Sequence, residues 1–396
     1  MNVVTEYNHC FGGHAMSNKN ELTNILIMAD YQAPKSGNFL ASQLELGIKV
    51  RSLGYTVVYA FPDNYQGGYS WEKWLKDNGF DVYLIDCSVN DDQKLSVLRK
   101  IVEDYKVGII HSQFGFLTQL LRQRHKEIGK VKVVFHDRRD FNETQSQLKQ
   151  HLKTMGKALM YRFNGIYNIS VMEKKDSYYW PMGNNRHWYV PNGLSLMRAE
   201  KDELSGEDRR KEIGINEEEK LILFLGWDLN RKGLDIALRG VEICRQKGMS
   251  VKLGVIGAGA GEPSERAVSF LTEKGLDPYS EAIIYMHNYE DIFALNRAVD
   301  GYLSSSRSEA FSNGILEAIS QKSPVVVSDI VGTSWAWEYD NCYVYEVENA
   351  EQCAQAIEKA LNNGRNTANY KSIVEKYSAD VWCKRIIEIY KTIYND

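Results

Sequence analysis

The residues best suited to chemistry lie in one stretch, residues 304–318, where small side chains follow a short apolar segment. Glu309 precedes a predicted helix start, and Glu317 lies in the first turns of that helix. Because the first N–H groups of a helix have no intrahelical partner, a diphosphate could sit between the two carboxylates. Each carboxylate could then accept hydrogen bonds from hydroxyls at one end of a nucleotide sugar. The alternative is a pair of solvated acids at a helix start.

Two glycine-containing turns carry groups that complement this stretch. The segment from Gly226 to Gly233 follows a predicted strand and contains the adjacent cations Arg231 and Lys232, which suit a diphosphate leaving group. Gly257 ends another predicted strand, where the missing side chain permits close approach of the backbone. Loops that follow the parallel strands of one sheet converge on one crevice, so these segments are expected to meet.

The apolar pattern predicts the elements that must position these loops. Short runs of Val, Ile and Leu alternate with longer amphipathic stretches, which indicates an α/β fold with helices on both faces of parallel sheets. The segment 198–219 is charged and poor in apolar residues, which favours a domain boundary there. The last thirty residues are predicted to form one amphipathic helix. The predicted strands are 24–29, 56–61, 82–86, 108–112, 132–136, 165–170, 221–226, 252–257, 282–286, 301–305 and 324–328.

Length and composition limit the class of protein. With 396 residues, the chain is long enough for two hydrophobic cores. Its formal net charge of -4 shows no basic excess, so nucleic acid is not expected as a partner. The six cysteines form no CxxC pair, and residues 1–23 lack the apolar run of a signal peptide, so we expect a cytoplasmic protein with reduced thiols. No apolar run is long enough to span a membrane.

Four motifs follow one another in a distinctive order along the chain. They are Pro191-Asn192-Gly193, the turn from Gly226 to Gly233, Gly257-Ala258-Gly259, and Glu309 and Glu317 with Phe311 between them. This order resembles the retaining GT-B glycosyltransferases of family four, the glycosyl transferases group 1, over nearly the whole chain. The resemblance implies two Rossmann-like doubly wound domains that face a central cleft.

The resemblance also implies a role for each motif. Glu309 would contact the donor sugar, Glu317 the ribose hydroxyls, and Arg231 with Lys232 the diphosphate. The catalytic residues so implied are Glu309, His136, Arg231 and Lys232. The donor-binding residues so implied are Gly37, Gly226, Arg231, Lys232, Gly257, Phe311, Ser312, Asn313, Gly314, Ile315, Leu316 and Glu317.

The first half of the chain matches the family in register. Ser36-Gly37 resembles the family's glycine loop near the reaction centre, and His136 would lie near the anomeric carbon of the donor. A histidine at a strand end can equally be a satisfied polar residue, and His111 is a second candidate of this kind. The implied boundaries are an N-terminal extension over 1–23, an acceptor-binding domain over 24–197, a nucleotide-sugar-binding domain over 198–375, and a helix over 376–396 that packs back toward the first domain.

Departures from the family pattern keep other functions open. Trp227 stands where the family usually has Arg, and Ala310 and Ser312 replace the usual glycines. A non-catalytic glycosyltransferase-like subunit that stabilises a partner enzyme is therefore one alternative. A sugar phosphorylase or synthase of the same architecture is another. A dinucleotide oxidoreductase is disfavoured, because the glycines at 257, 259 and 261 have the wrong spacing.

The sequence favours a reaction with a UDP-sugar and without a metal. The acidic metal clamp Asp-x-Asp, used by the other major glycosyltransferase architecture, does not occur in the chain. No nucleophilic carboxylate is evident in the first-half loops, which favours attack from the leaving-group face over a covalent intermediate. Saccharide, lipid-linked and protein glycan acceptors are all compatible with the motifs.

A local basic region is the one sign of a macromolecular surface. Residues 122–162 contain eleven Lys or Arg against four Asp or Glu, with apolar residues at helical spacing from 148 to 160. Such a surface could contact anionic lipid on the inner face of a membrane and receive a lipid-linked acceptor. A solvated basic face is the alternative.

Overall fold

The computed structural model describes residues 21–31, 37–63, 69–139, 146–173, 179–183, 185–197, 206–216, 218–289, 292–366 and 370–396. These residues form two parallel β-sheets covered by helices, so the predicted α/β class with two Rossmann-like units is confirmed. Ser36, most of the predicted N-terminal extension and part of the predicted boundary at 198–219 lie outside the described residues.

The first sheet has, within the described ranges, seven parallel strands in the order β3-β2-β1-β4-β5-β6-β7. Its strands are β1 (Asn24–Ala29), β2 (Val57–Pro62), β3 (Asp81–Ile85), β4 (Val107–Gln113), β5 (Lys132–Asp137), β6 (Ile166–Ser170) and β7 (His187–Tyr189). Its helices are α1 (Asn38–Ser52), α2 (Ser70–Asp77), α3 (Asp91–Tyr105), α4 (Thr118–Arg124) and α5 (Gln147–Phe163).

The second sheet has six parallel strands among the described residues, in the order β12-β9-β8-β13-β14-β15. Its strands, with a small hairpin β10–β11, are β8 (Lys220–Leu225), β9 (Val251–Ile256), β10 (Gly259–Ala260), β11 (Glu262–Pro263), β12 (Ile283–Met286), β13 (Gly301–Ser304), β14 (Val325–Ser328) and β15 (Cys342–Tyr345). The remaining helices are α6 (Gly206–Ile213), α7 (Leu229–Lys232), α8 (Leu234–Gln246), α9 (Glu265–Glu273), α10 (Ile292–Ala298), α11 (Asn313–Ser320), α12 (Ala350–Asn363), α13 (Tyr370–Tyr377) and α14 (Ala379–Asn395).

Both sheets are buried on both faces, which explains their continuous apolar strands. Side chains alternate along β1, so Ile25 and Ile27 pack in one cluster while Leu26 and Met28 pack in another on the opposite face. In β8, Ile222 belongs to a different cluster from its neighbours in the same way. The apolar runs along the sequence are therefore the two-sided cores of the two sheets.

The C-terminal segment differs from the single helix that the sequence predicts. It forms two helices, α13 and α14, because the Ser378 hydroxyl accepts a hydrogen bond from the N–H of Val381 and starts a new helix. The carbonyl of Leu194 accepts from the N–H of Ala379, so the interdomain segment and the start of α14 are joined. Trp382, Ile386 and other apolar residues of α14 then pack into the core of the first sheet beside α1.

The strand order places the ends of four strands around one cleft. Each order reverses once, between β1 and β4 in the first sheet and between β8 and β13 in the second. In open parallel sheets a ligand binds outside the carboxyl ends of the strands at such a reversal. The loops that follow these four strands supply Tyr31, Phe114, Gly226 and Glu309, and all four residues line the same cleft.

Candidate active site

A cleft of about 650 Å³ lies between the two sheets. Its first-domain wall is formed by Tyr31, Gly37, Asn38, Phe39 and Phe114. Its second-domain wall includes Gly226, Trp227, Asp228, Arg231, Lys232, Tyr302, Glu309, Phe311, Ser312, Asn313, Gly314 and Glu317. The cleft thus brings together most residues that the sequence singles out, from segments far apart in the chain.

Glu309 is held as a carboxylate by cations from the neighbouring loop. Its Oε1 accepts hydrogen bonds from the Lys232 ammonium and, at 3.0 Å, from the Ser306 hydroxyl, while Arg231 Nη1 lies 3.6 Å from Oε2. Burial raises the pKa of Glu309, but Lys232 and the other donors outweigh burial and hold it below its ordinary value. Glu309 is therefore ionised at neutral pH.

The start of α11 presents free backbone donors to the cleft. Ser312 caps the helix, because its Oγ accepts from the N–H of Ile315 at 3.5 Å and its carbonyl accepts from the N–H of Leu316. In the described part of the chain, the N–H groups of Asn313 and Gly314 are left for a ligand. Glu317, the fifth residue of α11, also lines the cleft. Backbone donors and a carboxylate therefore meet at one helix end.

The loop with Arg231 and Lys232 is fixed by the loop before Glu309. The Asp228 carboxylate caps the short helix α7 by accepting from the N–H of Arg231 at 3.0 Å. The Ser305 hydroxyl donates to the carbonyls of Lys232 and Gly233, at 3.0 and 2.8 Å. These hydrogen bonds set the two cations against Glu309 before any ligand arrives.

Gly233 is the point where the two loops touch. Its φ is +70°, and a β-carbon there would overlap the carbonyl oxygen of Ser305. We expect Gly233→Ala to lower the free energy of unfolding by about 3 kcal/mol, from left-handed strain and the overlap together. Gly248→Ala is the matched control, because Gly248 has φ +89° with nothing within 4 Å of the added atom. Urea denaturation compares them, and an equal loss in both variants would show that the loop contact is unimportant.

Several other residues predicted to bind the donor present no polar side chain to the cleft. The side chains of Ile315 and Leu316 are fully buried in the second core. Gly257, at φ +101°, packs against the backbone of Gly226 and is not among the residues lining the cleft. Phe311 stacks on Trp335, with ring centroids 4.5 Å apart. Of these four, Phe311 alone exposes its side chain to the cleft.

His136 lies beneath the cleft wall rather than on it. Its Nδ1 is 3.1 Å from His111 Nε2, and His111 Nδ1 is 2.6 Å from the hydroxyl of Tyr390 on α14. Burial lowers the pKa of both histidines, to about 3 for His111, so both are neutral at neutral pH. Alternation along β5 places His136 on the face with Val134, under α1 and α14. His136 is not among the residues that line the cleft, and its place near the donor sugar stays a prediction.

Comparison with known proteins now adds to the geometry. Residues 205–377, which contain every charged group of the second wall, match the family described as Glycosyl transferases group 1. The matching residues, called here the group 1 domain, make up less than half of the chain. The resemblance drawn from the motifs is thus confirmed, while retention of the sugar configuration stays a prediction.

Relatives of the group 1 domain are recognisable over part of their length. A glycosyltransferase of Methanocaldococcus jannaschii is 27% identical over 199 residues, 48% of this chain and 50% of the relative. The lipopolysaccharide glucosyltransferase WaaG of Escherichia coli is 26% identical over 204 residues, 49% of this chain and 53% of WaaG. The chain therefore matches about half the length of these curated relatives.

Solved structures extend the likeness to the whole fold. The structure of Anabaena HepE in complex with UDP and glucose has a TM-score of 0.70 and 14% sequence identity, and covers 93% of this chain and 99% of HepE. Such a likeness shows the fold, which is GT-B, with the group 1 domain facing a second Rossmann-like domain across the cleft.

The group 1 domain is opposed by residues that the sequence motifs did not indicate. Tyr31, Phe39 and Phe114 form an aromatic wall on the first-domain side, with Phe39 4.7 Å from Phe114 and 5.2 Å from Tyr31 between ring centroids. Arg138 lies against this wall, 5.0 Å from the ring of Phe39. Tyr31 and Phe114 follow strands, and Phe39 lies in the first turn of α1. Arg138 belongs to none of the sequence motifs, and only the fold brings the four residues together.

The described residues were also searched for metal sites and membrane spans. Within them, no group of three or more His, Cys, Asp or Glu is arranged to hold a metal ion. Metal independence stays a prediction. None of the helices in the described part of the chain is long and apolar enough to cross a bilayer.

Proposed function

We propose that this protein is a retaining, metal-independent glycosyltransferase that moves a sugar from a nucleoside diphosphate donor, UDP being favoured, to an acceptor in surface polysaccharide or glycoconjugate assembly. One observation carries the proposal. Ionised Glu309 and the cations Arg231 and Lys232 face the open start of α11 across one cleft. A carboxylate for sugar hydroxyls, cations for phosphate and free N–H donors are the groups that such a donor needs.

Each group has a place in the proposed reaction. The diphosphate lies at the start of α11, where the N–H groups of Asn313 and Gly314 and the side chains of Arg231 and Lys232 stabilise the charge that develops on departure. Glu309 orients the donor sugar and Glu317 the ribose. No carboxylate occurs among the described first-domain residues of the cleft wall, so we favour attack of the acceptor from the leaving-group face, with the diphosphate taking the acceptor proton.

Calorimetric titration of UDP, GDP and ADP, in buffer containing EDTA, tests this donor site. We expect UDP to bind the wild type, and Glu317→Ala to weaken binding about tenfold, because the ribose loses hydrogen bonds to a charged acceptor. Glu351→Ala is the control, since Glu351 is an exposed acid in the first turn of α12. Binding that appears only after manganese is added would contradict metal independence.

The titration also decides on the second candidate function. Trp227 lines the cleft and is 60% exposed, at the position where the family resemblance implies an arginine. A wild type that binds none of the three nucleotides would favour a non-catalytic subunit that stabilises a partner enzyme. Release of a sugar nucleotide from a disaccharide would instead favour a synthase acting in the degradative direction.

We further propose that the protein works at the inner face of a membrane, with α5 as its contact. Leu148, Leu152, Leu159 and Phe163 recur at intervals of four or seven residues, and between 42% and 81% of each is exposed. They form one face of the helix, called here the α5 stripe. Exposed apolar residues in a row mark an interaction surface.

The charges around the α5 stripe select the partner. Lys149 and Lys153 are exposed next to it, Arg162 is exposed near its end, and the helix sequence contains no Asp or Glu. Trp180 is 67% exposed in the turn Trp180–Met182, which Arg162 joins by donating to the carbonyl of Pro181 at 3.1 Å. An apolar face flanked by cations and an interfacial tryptophan fits a surface of anionic lipid.

A further inference from the structure

Arg138 is a charged side chain without a charged partner, and it lies against Phe39 and Phe114, two aromatic residues that line the cleft. Its Nε donates to Gln113 Oε1 at 2.9 Å, and its Nη1 donates to Asn192 Oδ1. Its Nη2 has no exposed surface and no hydrogen-bond partner, and no carboxylate among the described residues forms an ion pair with the guanidinium. Burial lowers the pKa of Arg138 to about 9, which reflects the cost of enclosing this charge.

One edge of the guanidinium, the pair Nη1 and Nη2, has the shape that suits a forked acceptor. Nη1 and Nη2 lie side by side, and the first is held by a neutral amide while the second has no partner. A carboxylate or phosphate binds such an edge through two parallel hydrogen bonds, and a charged acceptor makes a stronger bond than the amide that it replaces. An oxyanion that replaced the Asn192 amide could therefore bind both nitrogens.

The aromatic wall beside Arg138 supplies the rest of the site. Arg138 lies 5.0 Å from the ring of Phe39 and 5.8 Å from that of Phe114. Phe114 is 39% exposed and holds a left-handed backbone with φ +54°, a conformation that is costly for a phenylalanine and tends to occur at functional sites. Exposed aromatic faces bind the C–H faces of sugar rings, so ring and anion would be held together.

We propose that Arg138 and the aromatic wall bind an acceptor sugar that carries an acidic group, a carboxylate or a phosphate, with Arg138 as the residue that selects for the charge. This inference rests on the proposed function and names the acceptor class. In the proposed function the donor phosphates face Arg231, Lys232 and the start of α11, whereas Arg138 belongs to the opposite domain. A neutral acceptor would leave the enclosed Arg138 guanidinium without an anionic partner.

Saturation-transfer and titration NMR without nucleotide tests the inference directly, with methyl glucuronide, glucose phosphate and the neutral methyl glucoside as probes. We expect at least one acidic probe to bind the wild type about tenfold or more tighter than the neutral one. Arg138→Gln should abolish this preference. Arg139→Gln, which removes the same charge from a neighbouring side chain that is 70% exposed, should keep it. The acidic probe that binds tighter identifies the charged group as carboxylate or phosphate.

Two results would overturn the assignment. Equal affinity of the wild type for neutral and acidic probes would exclude selection for charge, and so would an equal loss of preference in Arg139→Gln. If Arg138→Gln does not fold, Arg138→Lys keeps the charge without the fork, and a reduced preference is expected. Phe114→Ala should weaken neutral and acidic probes alike and leave the preference intact.

A parallel titration with UDP separates this proposal from the proposed function. We expect Arg138→Gln to bind UDP with the affinity of the wild type. A loss as large as that of Glu317→Ala would assign Arg138 to the donor diphosphate and overturn the acceptor assignment. A wild type that binds no UDP would contradict the donor site alone, because the acidic probes are titrated without nucleotide.

Discussion

Glu309→Gln is expected to lower the rate of sugar transfer by about 10²- to 10³-fold, the loss typical of removing one group that stabilises a transition state. Glutamine keeps the size of the side chain but loses the charge that Lys232 and Arg231 now face. The nucleotide itself should bind as well as before or more tightly, because Lys232 is freed from its carboxylate and can approach phosphate. Radioactive transfer and calorimetry with UDP measure the two effects separately.

The control and the opposite variant make this prediction specific. Glu351→Gln, at an exposed position on α12, should leave both transfer and UDP binding unchanged. Lys232→Met should weaken UDP binding, because the cation meets the diphosphate in both substrate and product. Full transfer activity in Glu309→Gln would remove this carboxylate from the reaction, and a parallel loss of UDP binding would place it on the nucleotide instead.

The central strands of each sheet were predictable, because a strand that is buried on both faces has a continuous apolar sequence. The predicted strand 324–328 differs from β14 by one residue, and β1 was predicted with both ends correct. The edge strands β7 and β15 were missed. Each pairs with one neighbour only, and their sequences His-Trp-Tyr and Cys-Tyr-Val-Tyr lack the apolar run of a central strand.

The two walls of the cleft were predictable to different degrees. The charged residues of the second-domain wall lie close to one another in the sequence, within two short loops and one helix, so Glu309, Glu317, Arg231 and Lys232 could be found as motifs. The first-domain wall is assembled from the loop after β1, the start of α1 and the loop after β4. Nothing in the sequence around Arg138 shows that its charge is enclosed, since enclosure depends on contacts made by distant residues.

The orientation of α5 was also beyond the sequence. Its apolar residues have helical spacing, which in most surface helices marks the face toward the core. The helix has a second apolar face, with Ala158 and Tyr161 packed against the first sheet, so the α5 stripe points outward. Periodicity predicts a helix with apolar faces, and only packing decides which face is left for a partner.

The double substitution Leu152→Ser and Phe163→Ser in the α5 stripe is expected to lower binding to anionic vesicles by about 100-fold. The reason is that each large side chain contributes roughly 1.5–3 kcal/mol when it leaves water. Flotation with phosphatidylcholine vesicles, with and without phosphatidylglycerol, measures the effect.

Reversal of charge at Lys149 and Lys153 should remove the preference for phosphatidylglycerol and the sensitivity to salt, since these cations act through a screened potential. Leu53→Ser is the matched control, because Leu53 is 51% exposed but lies outside the stripe. A wild type that ignores anionic vesicles, or a control that loses as much binding as the double variant, would leave α5 as a solvated basic helix.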